Sequence, residues 1–75
     1  MGKLAPLPAR KVIQKLCRAG FVETHQRGSH RYFENEREHR VATVPMHGSK
    51  DIPLGTLHNI VVKQAGLSVE KFNML

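Results

Sequence analysis

Phe21-Val-Glu-Thr-His-Gln-Arg-Gly-Ser-His-Arg-Tyr-Phe-Glu-Asn35 is the stretch whose reading decides the fold. It is rich in β-formers, has no apolar stripe at helical spacing, and is interrupted at Arg27-Gly28-Ser29 by a connection short enough for a hairpin. Two antiparallel strands are predicted, Phe21–Arg27 and His30–Asn35. Arg40–Met46 reads as a third, reached through the charged Glu34–His39 turn, which has neither Asn-Gly nor Asp-Gly; Pro45 ends it. Period-two alternation puts His30 and Tyr32 on one side of the second strand and Arg31 and Phe33 on the other. Each side has one aromatic, so alternation alone leaves the buried side open; Phe33 is expected inward.

On the N-terminal side, Ala9–Ala19 places Val12, Ile13, Leu16 and Cys17 on one stripe, with Arg10, Lys11, Gln14, Lys15 and Arg18 elsewhere. This is an amphipathic helix with Pro8 in its first turn and Gly20 as a left-handed stop, after which Phe21 packs back on the helix. Cys17 is then expected to be a reduced thiol in the core. On the C-terminal side, Met46–Asp51 is a loop, and a second helix starts near Pro53 or Thr56 with the stripe Leu57, Ile60, Val61 and Ala65, closed by Gly66. Ser68 caps a last short helix anchored by Val69, Phe72 and Leu75. The expected fold is α+β, one domain over residues 1–75 in the order α-β-β-β-α with a short extra C-terminal helix. Its three-stranded antiparallel sheet has helices on one face and the other face open.

A chain of 75 residues forms one small core and buries only about 60% of the surface its unfolded form exposes. A deep metabolite pocket is not expected at this size, and a polymer lying across a shallow surface suits it better. Twelve Lys and Arg against six Asp and Glu give a net charge of +6, which makes polyanions, nucleic acid first among them, the natural partners. No apolar run approaches the ~18 residues of a spanning helix. Met1–Pro6 has no apolar signal region, so a cytoplasmic location is expected.

The five histidines, His25, His30, His39, His47 and His58, are the groups suited to proton transfer near neutral pH. No His-x-x-x-His or Cys-x-x-Cys pairing suggests a metal site, and no cofactor is expected. His30 stands apart because it follows Gly28-Ser29, starts a strand, and is flanked in sequence by Arg27 and Arg31, two candidate phosphate ligands. On spacing alone a turn histidine is ordinarily structural or merely exposed. His47, in the loop Pro45-Met46-His47-Gly48-Ser49-Lys50, is the second candidate, with Lys50 beside it.

The chain resembles the HicA toxins, also called the YcfA-like family, over nearly its whole length. The shared features are Ala19-Gly20-Phe21, the Gly28-Ser29-His30 triplet, Val44-Pro45-Met46-His47-Gly48, Gly55-Thr56-Leu57 and Gln64-Ala65-Gly66-Leu67-Ser68. The Glu34–His39 turn departs from the Asp-Gly type of turn common in that family. The resemblance implies a fold similar to the double-stranded RNA-binding domain, an mRNA interferase held inactive by a HicB-like antitoxin, and an essential histidine, which here is His30. Arg27, Ser29, Arg31, His47 and Lys50 are the accompanying candidates for binding RNA. Without a metal site, cleavage would most simply use the substrate's own 2′-hydroxyl, with His30 as base or acid. The alternative is a non-catalytic RNA-binding module of the same fold.

Overall fold

The computed structural model describes residues 2–75. It contains β1 (Leu7–Pro8), α1 (Ala9–Arg18), β2 (Val22–Arg27), β3 (His30–Asn35), β4 (Arg40–Pro45), β5 (Asp51–Ile52), α2 (Leu54–His58) and α3 (Val69–Met74), with a π-helical segment at Asn59–Gln64 continuing α2. The expected α+β class and α-β-β-β-α order hold, with β2, β3 and β4 forming an antiparallel sheet in that spatial order. β1 and β5 were not legible as strands. They are two residues each, pairing Leu7 with Ile52 and Pro8 with Asp51 in a separate small ladder.

Ala9, Val12 and Leu16 form the buried stripe of α1. Cys17 is exposed, which corrects the expectation of a core thiol. Successive helical residues are rotated by about 100°, so Cys17 lies a full step beyond Leu16 and off the packed face. The helix ends as predicted. Gly20, at φ +102°, takes the left-handed position, and the Phe21 N–H donates to the Leu16 carbonyl at 3.0 Å. This six-to-one bond closes a Schellman motif and turns Phe21 into the core at 3% exposure.

The inward side of the sheet is supplied by Phe33, Ala42 and Val44, all buried, and Phe33 pairs directly with Ala42. Against them pack Val12 and Leu16 of α1, Leu57, Ile60, Val61 and Ala65 of the second helical stretch, and Phe72 of α3. The predicted stripe of the second helix is therefore correct, although half of the element is wound more widely than an α-helix. The Ala65 N–H reaches back five residues to the Ile60 carbonyl at 2.8 Å. Gln64, the last π residue, accepts the Thr43 N–H of β4 through its side-chain oxygen at 2.8 Å. The other end of the chain is fastened by Lys15, whose ammonium donates to the Phe72 and Leu75 carbonyls at 3.1 and 3.2 Å and lies 5.0 Å from the Phe72 ring. A cation at a helix C-terminus complements the carbonyls left unpaired there.

β3 and β4 are joined by a four-residue loop, Glu36–His39, between the paired Asn35 and Arg40. His39 has φ 54°, a left-handed position held by a residue with a Cβ. Asn35, only 7% exposed, ties this loop to α1: its amide donates to the Ala19 carbonyl at 3.3 Å and its oxygen accepts the Glu38 N–H at 3.2 Å. Two stability measurements by chemical denaturation check these points. His39→Gly should stabilise the protein by about 0.5–1 kcal/mol by relieving the left-handed strain. Asn35→Ala should destabilise it by about 1–3 kcal/mol, because both of its backbone partners lose their bond.

Candidate functional site

The sheet pairing arranges the open face in three cross-strand rows. Val22, Glu34 and Val41 form the first, His25, Tyr32 and Thr43 the second, and Arg27, His30 and Pro45 the third. Residues two apart on one strand stand roughly 7 Å from each other, so the rows are close neighbours. Phe33 faces inward as expected, which turns His30 and Tyr32 to this face.

The third row is built by the β2–β3 hairpin. Arg27 and His30 are direct partners across the two-residue loop Gly28-Ser29, and Gly28 has φ +57°. A positive φ at the first of two loop residues but not at the second, Ser29, marks a type II′ turn, whose twist matches that of paired strands and which favours glycine at the first position. The loop is also joined to the chain beyond β4, since the Met46 N–H donates to the Ser29 carbonyl at 2.6 Å. His47 follows at once, and the Lys50 N–H donates to the His47 carbonyl at 3.3 Å, closing a turn. Arg27, Ser29, His30, His47 and Lys50 are all exposed. Five of the six predicted site residues thus belong to one end of the sheet.

Arg31 is the exception. Its side chain points to the helix side, where its Nε and a terminal nitrogen donate to the two Glu23 carboxylate oxygens at 2.8 and 2.5 Å, and its guanidinium carbon lies 5.9 Å from the Phe33 ring. The pair is about 30% exposed. The hydrogen bonds from Arg31 hold the Glu23 carboxyl below the ordinary carboxylate range, and those to Glu23 hold Arg31 above its own. The pair's contribution to stability is therefore present at neutral pH and is lost as pH falls through the depressed range of Glu23. Sequence adjacency to His30 made Arg31 a candidate, but alternation puts it on the other face.

His25 was not singled out from the sequence. A β-bulge explains why. Glu23 pairs with Phe33 and His25 with Tyr32, leaving Thr24 as an extra residue. Strict alternation from Glu23 would put His25 on the inward side. The bulge moves both His25 and Arg27 to the open face, where the His25 ring lies on Tyr32 with centroids 4.3 Å apart and planes within 4°. The absence of clean alternation in Val22–Arg27 was the one sequence signal of it.

Cavities lie elsewhere. One of about 620 Å³ is at the opposite end of the sheet, bordered by Gly20, Asn35, Arg40, Gly66 and Lys71. His30 stands on open surface, in keeping with the shallow site expected of so short a chain. Among the described residues no group of three or more His, Cys, Asp or Glu side chains is placed to hold a metal ion. No helix among them is long and apolar enough to cross a membrane.

No curated protein matches the chain. A family model described as the HicA toxin of bacterial toxin-antitoxin matches residues 9–67, taking in α1, the whole three-stranded sheet with its Gly28–His30 turn, and the second helical stretch. The match covers most of the chain and bears out the resemblance carried by the sequence motifs: the protein belongs to the HicA toxin family and is the toxin of a toxin–antitoxin pair, with an antitoxin as its partner.

Proposed function

We propose that this toxin is an endoribonuclease, an mRNA interferase that needs no metal ion, with His30 as its catalytic residue. One observation carries the reading: Arg27 and His30 are direct cross-strand partners on an open, basic end of the sheet. A phosphodiester held by Arg27 would stand beside the His30 imidazole, and the exposed Gly28-Ser29 turn allows a sugar-phosphate backbone to come close. His30 takes the proton from the 2′-hydroxyl, whose oxygen attacks phosphorus. Arg27 and Lys50 stabilise the charge that develops on the phosphorane-like state, and Ser29 and His47 hold flanking phosphates. Arg31 serves the site only indirectly, by fixing β3 to β2 through Glu23. The antitoxin is a HicB-like protein that covers this end of the sheet, and a surface of opposite charge would do so most readily.

With RNA in the presence of EDTA, the wild-type toxin should cut and leave a 2′,3′-cyclic phosphate or its hydrolysis product, while the DNA of the same sequence stays intact. His30→Ala should keep RNA affinity and lose cleavage by about 10²-fold or more. Cleavage abolished by chelation would refute the metal-independent mechanism, and normal cleavage by His30→Ala would refute the site. Binding without cleavage by the wild type would favour the non-catalytic RNA-binding module. Arg27→Gln should weaken RNA binding with little dependence on sequence, and make the slope of log affinity against log salt shallower by about 0.7 for a single strand.

A further inference from the structure

Cleavage through a 2′-hydroxyl needs two proton transfers, one from the attacking oxygen and one to the departing oxygen. The two oxygens lie on opposite sides of phosphorus. The groups that serve them must therefore stand on opposite sides of the phosphate, several ångströms apart but on one accessible surface. His30 supplies one such group. The row beside it holds another imidazole, His25, diagonal to His30 across the β2–β3 pair. Diagonal neighbours on one face of an antiparallel pair stand about 7–8 Å apart, a span that a phosphate can bridge.

The His25 ring is held in place on two sides. Its face rests on Tyr32, and its Nδ1 is 3.0 Å from the Thr24 Oγ1. The same hydroxyl is 3.4 Å from the Tyr32 carbonyl, and when it donates there its oxygen accepts from a protonated Nδ1. In that arrangement neutral and protonated forms of the ring both keep this bond. Nε2 is then the ring nitrogen left free to exchange a proton. The arrangement exists only because Thr24 is bulged out of register, since an unbroken strand would turn His25 to the other face.

We propose that His25 is the second proton-transfer residue of this toxin, an inference that rests on the ribonuclease reading of His30. As the bond from the 2′-oxygen to phosphorus forms, His30 accepts the 2′ proton. The bond from phosphorus to the 5′-oxygen breaks with its electron pair on oxygen, and His25 Nε2 gives that oxygen a proton. The products are a 2′,3′-cyclic phosphate and a free 5′-hydroxyl. Exchange with water returns both imidazoles to their starting states.

The test uses the full chain with two RNA oligomers, one ordinary and one with sulfur in place of the bridging 5′-oxygen at the cleaved linkage. Sulfur departs without being protonated, so it removes the need for an acid. His25→Phe keeps an aromatic ring to lie on Tyr32 but carries no proton, and His25→Ala removes both. Both variants should lose about 10²-fold or more in kcat on the ordinary RNA with KM changed little, and both should recover to within about tenfold of wild type on the sulfur substrate. The kcat profile against pH should lose its falling alkaline limb in both variants. The other ionisable groups on this face, Arg27, His30, Tyr32 and Glu34, and His47 and Lys50 of the loop beyond β4, are unchanged, and β4 itself presents only Val41, Thr43 and Pro45 there. Wild-type cleavage by His25→Phe would overturn the proposal by showing that the ring only stacks. Equal losses on both substrates, or recovery of His30→Ala in place of the His25 variants, would overturn it too. If the wild type leaves the ordinary RNA intact, the ribonuclease reading itself fails, which is a separate result from any of these.

Discussion

Packing on a single side of the β2–β3–β4 sheet is the constraint on which the molecule depends. Phe33, Ala42 and Val44 face α1 and the second helical stretch with almost no exposure, whereas Val22 and Val41 on the other side of the sheet are more than half exposed. In an antiparallel sheet, burying one set of alternate side chains exposes the other set. Fixing Phe33 inward therefore assigns the direction of every other side chain on β3. His30 and Tyr32 face solvent because Phe33 does not.

This dependence explains what could be read from the sequence and what could not. The helical stripes, the three strands and the glycine stops follow from spacing and turn chemistry, because each rests on local physics, whereas alternation left the buried side of β3 open. Cys17 misled because a stripe read from a list of residues is wider than the face a short helix buries. Arg31 misled because nearness in sequence is not nearness on one face of a strand. The two-residue strands β1 and β5 have too little pattern to recognise, and their pairing joins segments more than forty residues apart. The Gly28–His30 turn and its arginine were legible. Their link to His47 was not, since it runs through one backbone hydrogen bond between Met46 and Ser29.

The bulge at Thr24 is the least legible feature and the one with the largest effect on the open face. One extra residue reverses the alternation of β2 beyond it and gathers His25 and Arg27 beside Tyr32 and His30. Local regularity is given up where chemistry is proposed, and the regular part of β3 supplies the fixed frame. The family match ends at Leu67, yet Phe72 of α3 is fully buried and Lys15 of α1 caps that helix. The short C-terminal helix is part of the core on the same footing as the matched region.

The contact between Gln64 and Thr43 has a meaning beyond packing. β4 is an outer strand, and an outer strand with free amides is a template on which a second chain can add. Here the Thr43 amide is already bound by a side chain from the helical layer, and Pro45 has no amide to offer. Two of the positions on that edge therefore have no amide free to donate to an added strand. The side chain of one layer thus protects the exposed edge of another, which lowers the tendency of this strand to pair with a second copy.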